Sequence, residues 1–242
     1  MKKGILLVNL GTPDSPSVKD VRKYLREFLM DERVIDLPFI GRWLLINLII
    51  VPFRGPKSAK IYKELWTEKG SPLLYHGLDL KDNLQTLLGT DYHVAFGMRY
   101  QKPSIQLALD ELKSENVSEI KVIPLYPQYA SSSTGSTIEN VMDLVKEDLT
   151  IPPMSFVSSF CNLPTLINGF AENAGKYLSQ EKYDHIVFSY HGLPERHLKK
   201  GDRNNHCFGS SSCCHQLTEK NQLCYRAQCF ETTRHIVKAL NI

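Results

Sequence analysis

The feature that most constrains the fold is a series of short apolar runs set between longer helical patterns. GILLVN (4–9), HVAFGM (93–98), EIKVIPL (119–125), MSFVSSF (154–160) and HIVFSY (185–190) read as strands, and they are mostly apolar throughout rather than alternating. A strand wetted on one face alternates, whereas one covered on both faces does not. Between these runs the period changes. SVKDVRKYLREFLM (17–30) puts Val18, Val21, Leu25 and Phe28 on one face and opens with Ser17 and Asp20 placed for a capping box. KSAKIYKELWTE (57–68), SIQLALDELKSE (104–115), STIENVMDLVKE (136–147) and TLINGFAENAGKYLSQ (165–180) are also helical in pattern. Strand–helix alternation predicts an α/β fold with a parallel, doubly wound sheet. The turn Thr150-Ile151-Pro152-Pro153 is the expected boundary between a first domain at 1–150 and a second at 151–242. Two strands make a poor independent sheet. Either the second domain is incomplete or its strands extend the first sheet.

Composition narrows the function classes. The 242 residues carry a formal net charge of +3, too small to imply a nucleic-acid partner. The opening MKKGILLVNLGTPD has an apolar run too short for a signal peptide, so export is not expected and the chain is assigned to the cytoplasm. Reducing surroundings disfavour disulfides, so clustered cysteines read first as metal ligands. The most apolar window, FIGRWLLINLIIVPF (39–53), is shorter than the roughly 20 residues of a spanning helix. It reads as a buried helix or as an exposed apolar lip that admits a greasy ligand or touches a membrane, here its inner face.

Ligands of open α/β sheets bind outside the carboxyl ends of the strands. Three segments are placed there. NLGTP (9–13) follows the first strand but lacks the glycine pattern of a dinucleotide site. LYPQYASSSTGS (125–136) sets Tyr126 and Tyr129 beside a run of hydroxyls, suiting either a helix cap or a wall for a flat apolar ligand. FSYHGLPERH (188–197) puts His191 at the expected end of a buried strand, where a neutral imidazole accepts a proton or binds a borderline metal. His197 reads as a surface residue. Arg99 and Tyr100 end another strand; Arg99 is placed to grip a ligand carboxylate in a bidentate way or to form a buried structural ion pair.

NLGTPDSPSVKDVRKYLREFLMDERVIDLP, GSPLLYH, FGMRYQKPSI, LYPQYASSSTGS and FSYHGLPERH, in this order, resemble the ferrochelatases, which insert Fe²⁺ into a porphyrin at the end of haem synthesis. The resemblance implies two Rossmann-like domains with parallel sheets flanked by helices and a cleft between them, the second domain being incomplete here. It implies that His191 is the active-site histidine facing Fe²⁺. It implies that Leu10, Arg99, Tyr100 and Tyr126 contact the macrocycle or stand near the metal path, and that 39–53 is the lip of the porphyrin cleft. The expected substrates are ferrous iron and protoporphyrin IX, with coproporphyrin III the alternative. A non-catalytic porphyrin carrier is the competing reading. It is favoured by one departure: no segment resembles the family's second acid motif, S-D-H-I-E-T-L. Glu195 follows the Pro194 turn, which is expected to point it away from His191.

The chemistry suits these residue types. A porphyrin must be held by apolar walls and bent so that its pyrrole lone pairs leave the ring plane, and two N–H protons must depart as the metal enters. The metal must be held by few ligands, because a closed four-ligand site would retain it.

Five of the six cysteines lie in HCFGSSSCCHQLTEKNQLCYRAQC (206–229), spaced C-x5-C-C-x9-C-x4-C. That is no ordinary zinc-finger pattern, and all-thiolate sets also suit iron–sulfur clusters. Some ferrochelatases carry a [2Fe–2S] cluster on cysteines, although others place one ligand where this chain has Ser131. The leading expectation is a [2Fe–2S] cluster on Cys207, Cys214, Cys224 and Cys229, with Cys213 as replacement for Cys214. Structural zinc and plain buried thiols are the alternatives. Cys161 is expected to be a small core residue.

Overall fold

The structure, a computed structural model, describes residues 2–242. The chain divides into two compact units, one of residues 1–125 and 132–157, the other of residues 126–131 and 158–242.

The first unit is built on strands β1 (Lys3–Gly11), β2 (Tyr92–Tyr100), β3 (Ile120–Pro124) and β4 (Met154–Phe156). They form one parallel sheet in the order β2-β1-β3-β4, with Leu6 opposite both Ala95 and Val122 and Ile120 opposite Met154. Its helices are α1 (Val18–Met30), α2 (Phe39–Leu44), α3 (Val51–Leu65), α4 (Pro72–Leu88), α5 (Ile105–Ser114) and α6 (Ser136–Val145). The continuous apolar run of β1 is explained by cover on both sides. Leu6 and Val8 join Ile105, Leu109, Leu112 and Val141 from α5 and α6. Ile5 and Leu7 pack with Phe96 and Met98 and with Leu74 and Leu84 of α4. The α/β, helix-flanked parallel sheet expected from the sequence is therefore present.

β4 lies beyond the turn at 150–153 and pairs with β3, so the division of the chain differs from a cut at residue 150. The free edge of β3 supplies the ladder that Met154–Phe156 needs. The second expected strand of that region, 185–190, does not form: it runs without regular structure, with Ile186 and Val187 exposed. The described residues of the second unit offer no strand beside it, and a lone strand has no hydrogen-bonded neighbour. That unit consists of helices α7 (Pro164–Leu178), α8 (Glu195–Gly201) and α9 (Tyr225–Leu240) and the segments between them.

Helix α2 continues through a π-helical stretch, Leu45–Ile50, into α3. The buried positions are Arg42, Ile46, Val51, Gly55 and Ala59, stepping by four, five, four and four. The five-residue step falls on the wider π turn, which keeps one stripe facing α1. Phe39, Ile40, Trp43, Leu44, Leu48 and Phe53 are left exposed, Ile40 and Phe53 at more than 70%. The window 39–53 is therefore not a buried helix: one stripe packs inward and most of its large apolar side chains face out. The continuous helix Phe39–Leu65 spans 27 residues and is long and apolar enough to cross a membrane by length and composition, unlike the run of 39–53 alone.

Candidate functional site

In the first unit the strand order reverses between β1 and β3, the switch point at which doubly wound sheets bind ligands. Beside it, at the carboxyl ends of these strands, α4 walls a depression of about 380 Å³ lined by Asn9, Leu73, His76, Leu80 and Leu125 among others. Leu10 leaves β1 half-buried against the cluster formed by α1, α3 and Tyr100. The glycine of NLGTP has a steric role. Gly11 has φ +123°, and a Cβ there would stand 2.1 Å from the Tyr100 carbonyl oxygen, so only glycine lets β1 and β2 approach at this point.

Arg99 and Tyr100 end β2, and both bond to Asp31. Arg99 donates from Nη2 to Asp31 (2.8 Å) and from Nε to the Ser136 hydroxyl (2.7 Å) and carbonyl (3.2 Å). Its fork is thus engaged in the ion pair that was the alternative to a bidentate grip on a ligand carboxylate. The Tyr100 ring is 1% exposed and its hydroxyl donates to Asp31 at 2.8 Å. Asp31 is the centre of this network, accepting also from the Ser136 hydroxyl at 2.5 Å and the Arg33 backbone N–H at 2.7 Å. Burial alone would raise its pKa. The hydroxyls of Ser136 and Tyr100, the Arg33 amide and the Arg99 charge together hold it below the usual carboxylate range. Burial, then the Asp31 charge, pushes the Tyr100 phenol well above the usual tyrosine range, so it remains a donor. Asp31 was missed at the level of sequence, where its only signal was its place in the shared DERVIDLP motif.

In the second unit Tyr126 is half-buried at the head of a segment fixed by main-chain and side-chain bonds: Phe160 N–H and Ser159 Oγ both donate to the Pro127 carbonyl, at 3.0 and 2.9 Å. His191 is exposed, and no strand precedes it. Its main chain is nevertheless placed. Tyr190 pairs its hydroxyl with Thr233 of α9 at 2.9 Å, and the His191 backbone N–H bonds the Tyr225 phenol. Glu195 opens α8 and sits 3.7 Å from Lys199, an exposed ion pair. Cys161 is buried.

The cysteine segment folds into a small cluster of Cys213, Cys214 and Ala227, with Leu217 and Cys224 packed on it. Two thiol pairs stand out: Cys207–Cys224 at 3.8 Å and Cys213–Cys214 at 3.6 Å. Two thiolates on one tetrahedral ion with metal–sulfur bonds of about 2.3 Å lie about 3.8 Å apart, so each pair has the spacing of one tetrahedral edge. Burial, and then the neighbouring thiols, pushes Cys207 and Cys214 up to about 12. Among the described residues, however, no three of the His, Cys, Asp and Glu side chains converge on a point that would hold a metal ion. The four-thiolate arrangement expected from the sequence is not assembled among the described residues. Cys229, buried in α9, is in neither close pair; burial raises its thiol to about 11, against the hydrogen bond from the Tyr225 phenol, with Cys161 and Cys224 adding to the rise.

The first unit, a parallel doubly wound sheet with Leu10, Arg99 and Tyr100 at the carboxyl ends of its strands, is of the α/β class. The family model described as Ferrochelatase matches residues 2–242. The chain is 45% identical over 242 residues to the ferrochelatase of Legionella pneumophila (strain Corby), covering all of this chain and 71% of that protein. It is 43% identical over 241 residues to the ferrochelatase of Coxiella burnetii (strain RSA 493 / Nine Mile phase I), covering 67% of that protein. The chain belongs to the ferrochelatase family, chelatases of haem biosynthesis with porphyrin and ferrous iron as substrates.

Proposed function

We propose that this chain inserts Fe²⁺ into protoporphyrin IX, with His191 accepting a pyrrole proton or facing the incoming metal. The observation that carries this reading is the state of His191: an exposed imidazole with no side-chain partner among the described residues, on a main chain held by Tyr190 and Tyr225. An imidazole so placed is open to a proton while its backbone is fixed. Leu10 and Tyr126 are each read as apolar contacts of the macrocycle, and Arg99 and Tyr100 fix the end of β2 through Asp31. In the test, His191→Ala is expected to abolish iron insertion while porphyrin affinity, measured by fluorescence quenching, changes less than about threefold, since apolar burial supplies most of it. Wild-type turnover in that variant would overturn the assignment. Running protoporphyrin IX and coproporphyrin III in parallel decides the substrate; faster turnover of coproporphyrin III would replace the first with the second.

The cysteine segment is proposed to hold a [2Fe–2S] cluster, closed as the metal binds and draws the two thiol pairs together. The pair spacing favours Cys207, Cys224, Cys213 and Cys214 as ligands, with Cys229 outside the set. A cluster here supplies a folding constraint on the segment. About two irons and two labile sulfides per chain are expected after anaerobic purification. Cys229→Ser should keep them and serine at any of the other four should lose them. A colourless protein carrying one zinc would move the site to structural zinc. The exposed apolar face at 39–53 is proposed to line the porphyrin entrance and to touch the inner face of the cytoplasmic membrane. Phe39→Ser with Phe53→Ser should then abolish co-sedimentation with anionic lipid vesicles.

A further inference from the structure

Gln228 lies in α9 at 1% exposure, among the largest fully buried side chains of the protein. A carboxamide so deep has to satisfy both its ends. Its Oε1 accepts from the Tyr129 backbone N–H at 2.6 Å and, at 3.0 Å, shares the single Ser159 hydroxyl proton with the Pro127 carbonyl. Its Nε2 donates to the carbonyl of Gln222, two residues before Cys224. One turn on, Thr232 Oγ1 accepts from Gln128 Nε2 at 2.9 Å and donates to the Cys161 carbonyl at 2.7 Å. The face of α9 that carries Gln228 and Thr232 is therefore bound to the segment bearing Tyr126 and to the turn at 159–161. Through Gln228 it is also bound to the segment bearing the thiols. Gln228 joins the Tyr126 segment to the thiol segment through a single planar group.

We infer that Gln228 is a positioning residue that fixes the Tyr126 segment against the cysteine segment, so that the state of the thiols is transmitted to the Tyr126 wall. A carboxamide is rigid and its two ends are about 2.3 Å apart; a shift of the Gln222 carbonyl must either rotate the amide or break the bond. Rotation swings Oε1 away from the Tyr129 N–H, which then loses this partner in a half-buried site. The inference rests on the reading of Tyr126 as a macrocycle contact only for its functional consequence, since the coupling itself is read from backbone exchange.

The test measures amide exchange at Tyr129 and porphyrin affinity in the full chain, with thiols free and with thiols capped by methyl methanethiosulfonate. In wild type, capping is expected to speed Tyr129 exchange at least tenfold. In Gln228→Met, which fills the same space without either hydrogen bond, Tyr129 should exchange fast before capping and change little after it. Ser159→Ala serves as the second variant: it loses a bond at the same oxygen but keeps the line from Gln222 to Tyr129, and it should respond to capping as wild type does. Unchanged Tyr129 exchange on capping wild type, or a wild-type response in Gln228→Met, overturns the inference. Faster Tyr129 exchange with unaltered porphyrin affinity upholds the coupling and removes Tyr126 from the substrate wall.

Discussion

Asp31 shows how much a single buried side chain decides. Its carboxylate is 4% exposed and takes donors from Arg99, Tyr100, Ser136 and Arg33, four points of the chain that surround the carboxyl ends of β1 and β2. Removing one partner of such a buried pair strands the other charge, a cost of about 3–5 kcal/mol. Asp31→Asn is therefore expected to destabilise the first unit by about 3 kcal/mol in urea unfolding, a little less than full loss because the amide oxygen still accepts. The network also sets an acid limit. The folded-state pKa of Asp31 lies below its unfolded value of about 3.9, so the carboxylate stabilises the fold above that value. That contribution is lost as pH falls below about 4 and through the folded pKa. The urea midpoint of wild type should drop more steeply below pH 4 than that of Asp31→Asn; parallel curves would show that the carboxylate contributes nothing to acid stability.

At the level of helices and strands, two features are set by how close one element comes to another. Gly77 of α4 faces β2, and a Cβ there would meet the Phe96 ring at 2.4 Å. Phe96 is itself buried in the sheet and has little room to turn. Overpacking costs about 1–3 kcal/mol, while replacing a mid-helix glycine with alanine gains up to about 1. Gly77→Ala is expected to be destabilising by about 1 kcal/mol; a gain in melting temperature would mean that α4 moves freely off the sheet. The π turn at Leu45–Ile50 is the second feature. Deleting Leu48 removes the five-residue step and rotates Ile46 and Arg42 by about 100° relative to Val51, Gly55 and Ala59. The expected result is a loss of about 2 kcal/mol or more, from unburying Ile46 and misplacing Arg42, whose guanidinium otherwise donates to the Ile35 and Leu37 carbonyls. Unaltered stability would show that the stripe does not depend on the wide turn.

The two units differ in what holds them. The first has a four-stranded sheet with side chains packed on both faces. The buried cluster found in the second is small and sulfur-rich, around Cys213, Cys214 and Ala227. Stability follows buried apolar contact, so opening is expected to be uneven. Hydrogen exchange should be slowest in β1, β2 and β3 and faster through 158–242. Urea should give two transitions, the second unit unfolding first. Occupation of the thiol site should raise the earlier transition and leave the later one in place, because a ligand stabilises the unit that binds it. A single transition coincident by all probes would contradict this division.

The sequence by itself determined the parallel α/β plan and the family. Both depend on local order: unbroken apolar runs for strands covered twice, helical periods between them, and five motifs in a set sequence. Ser17 caps α1 through the Asp20 N–H as its spacing required. The tertiary structure alone decided which strands found partners. MSFVSSF joined the open edge of β3, whereas HIVFSY stayed unpaired, although both have strand composition, because a strand needs a neighbour that composition does not encode. The same holds for the site. The motifs nominated Leu10, Tyr126 and His191, but the burial of Tyr100 and the choice of Asp31 as the partner of Arg99 were not readable, since they join residues nearly 70 positions apart. Five cysteines in a row of 24 residues announced a thiol site. Only the folded chain sorted four of them into two close pairs and set Cys229 in α9 against Tyr225, because pairing depends on where side chains point once the backbone is packed.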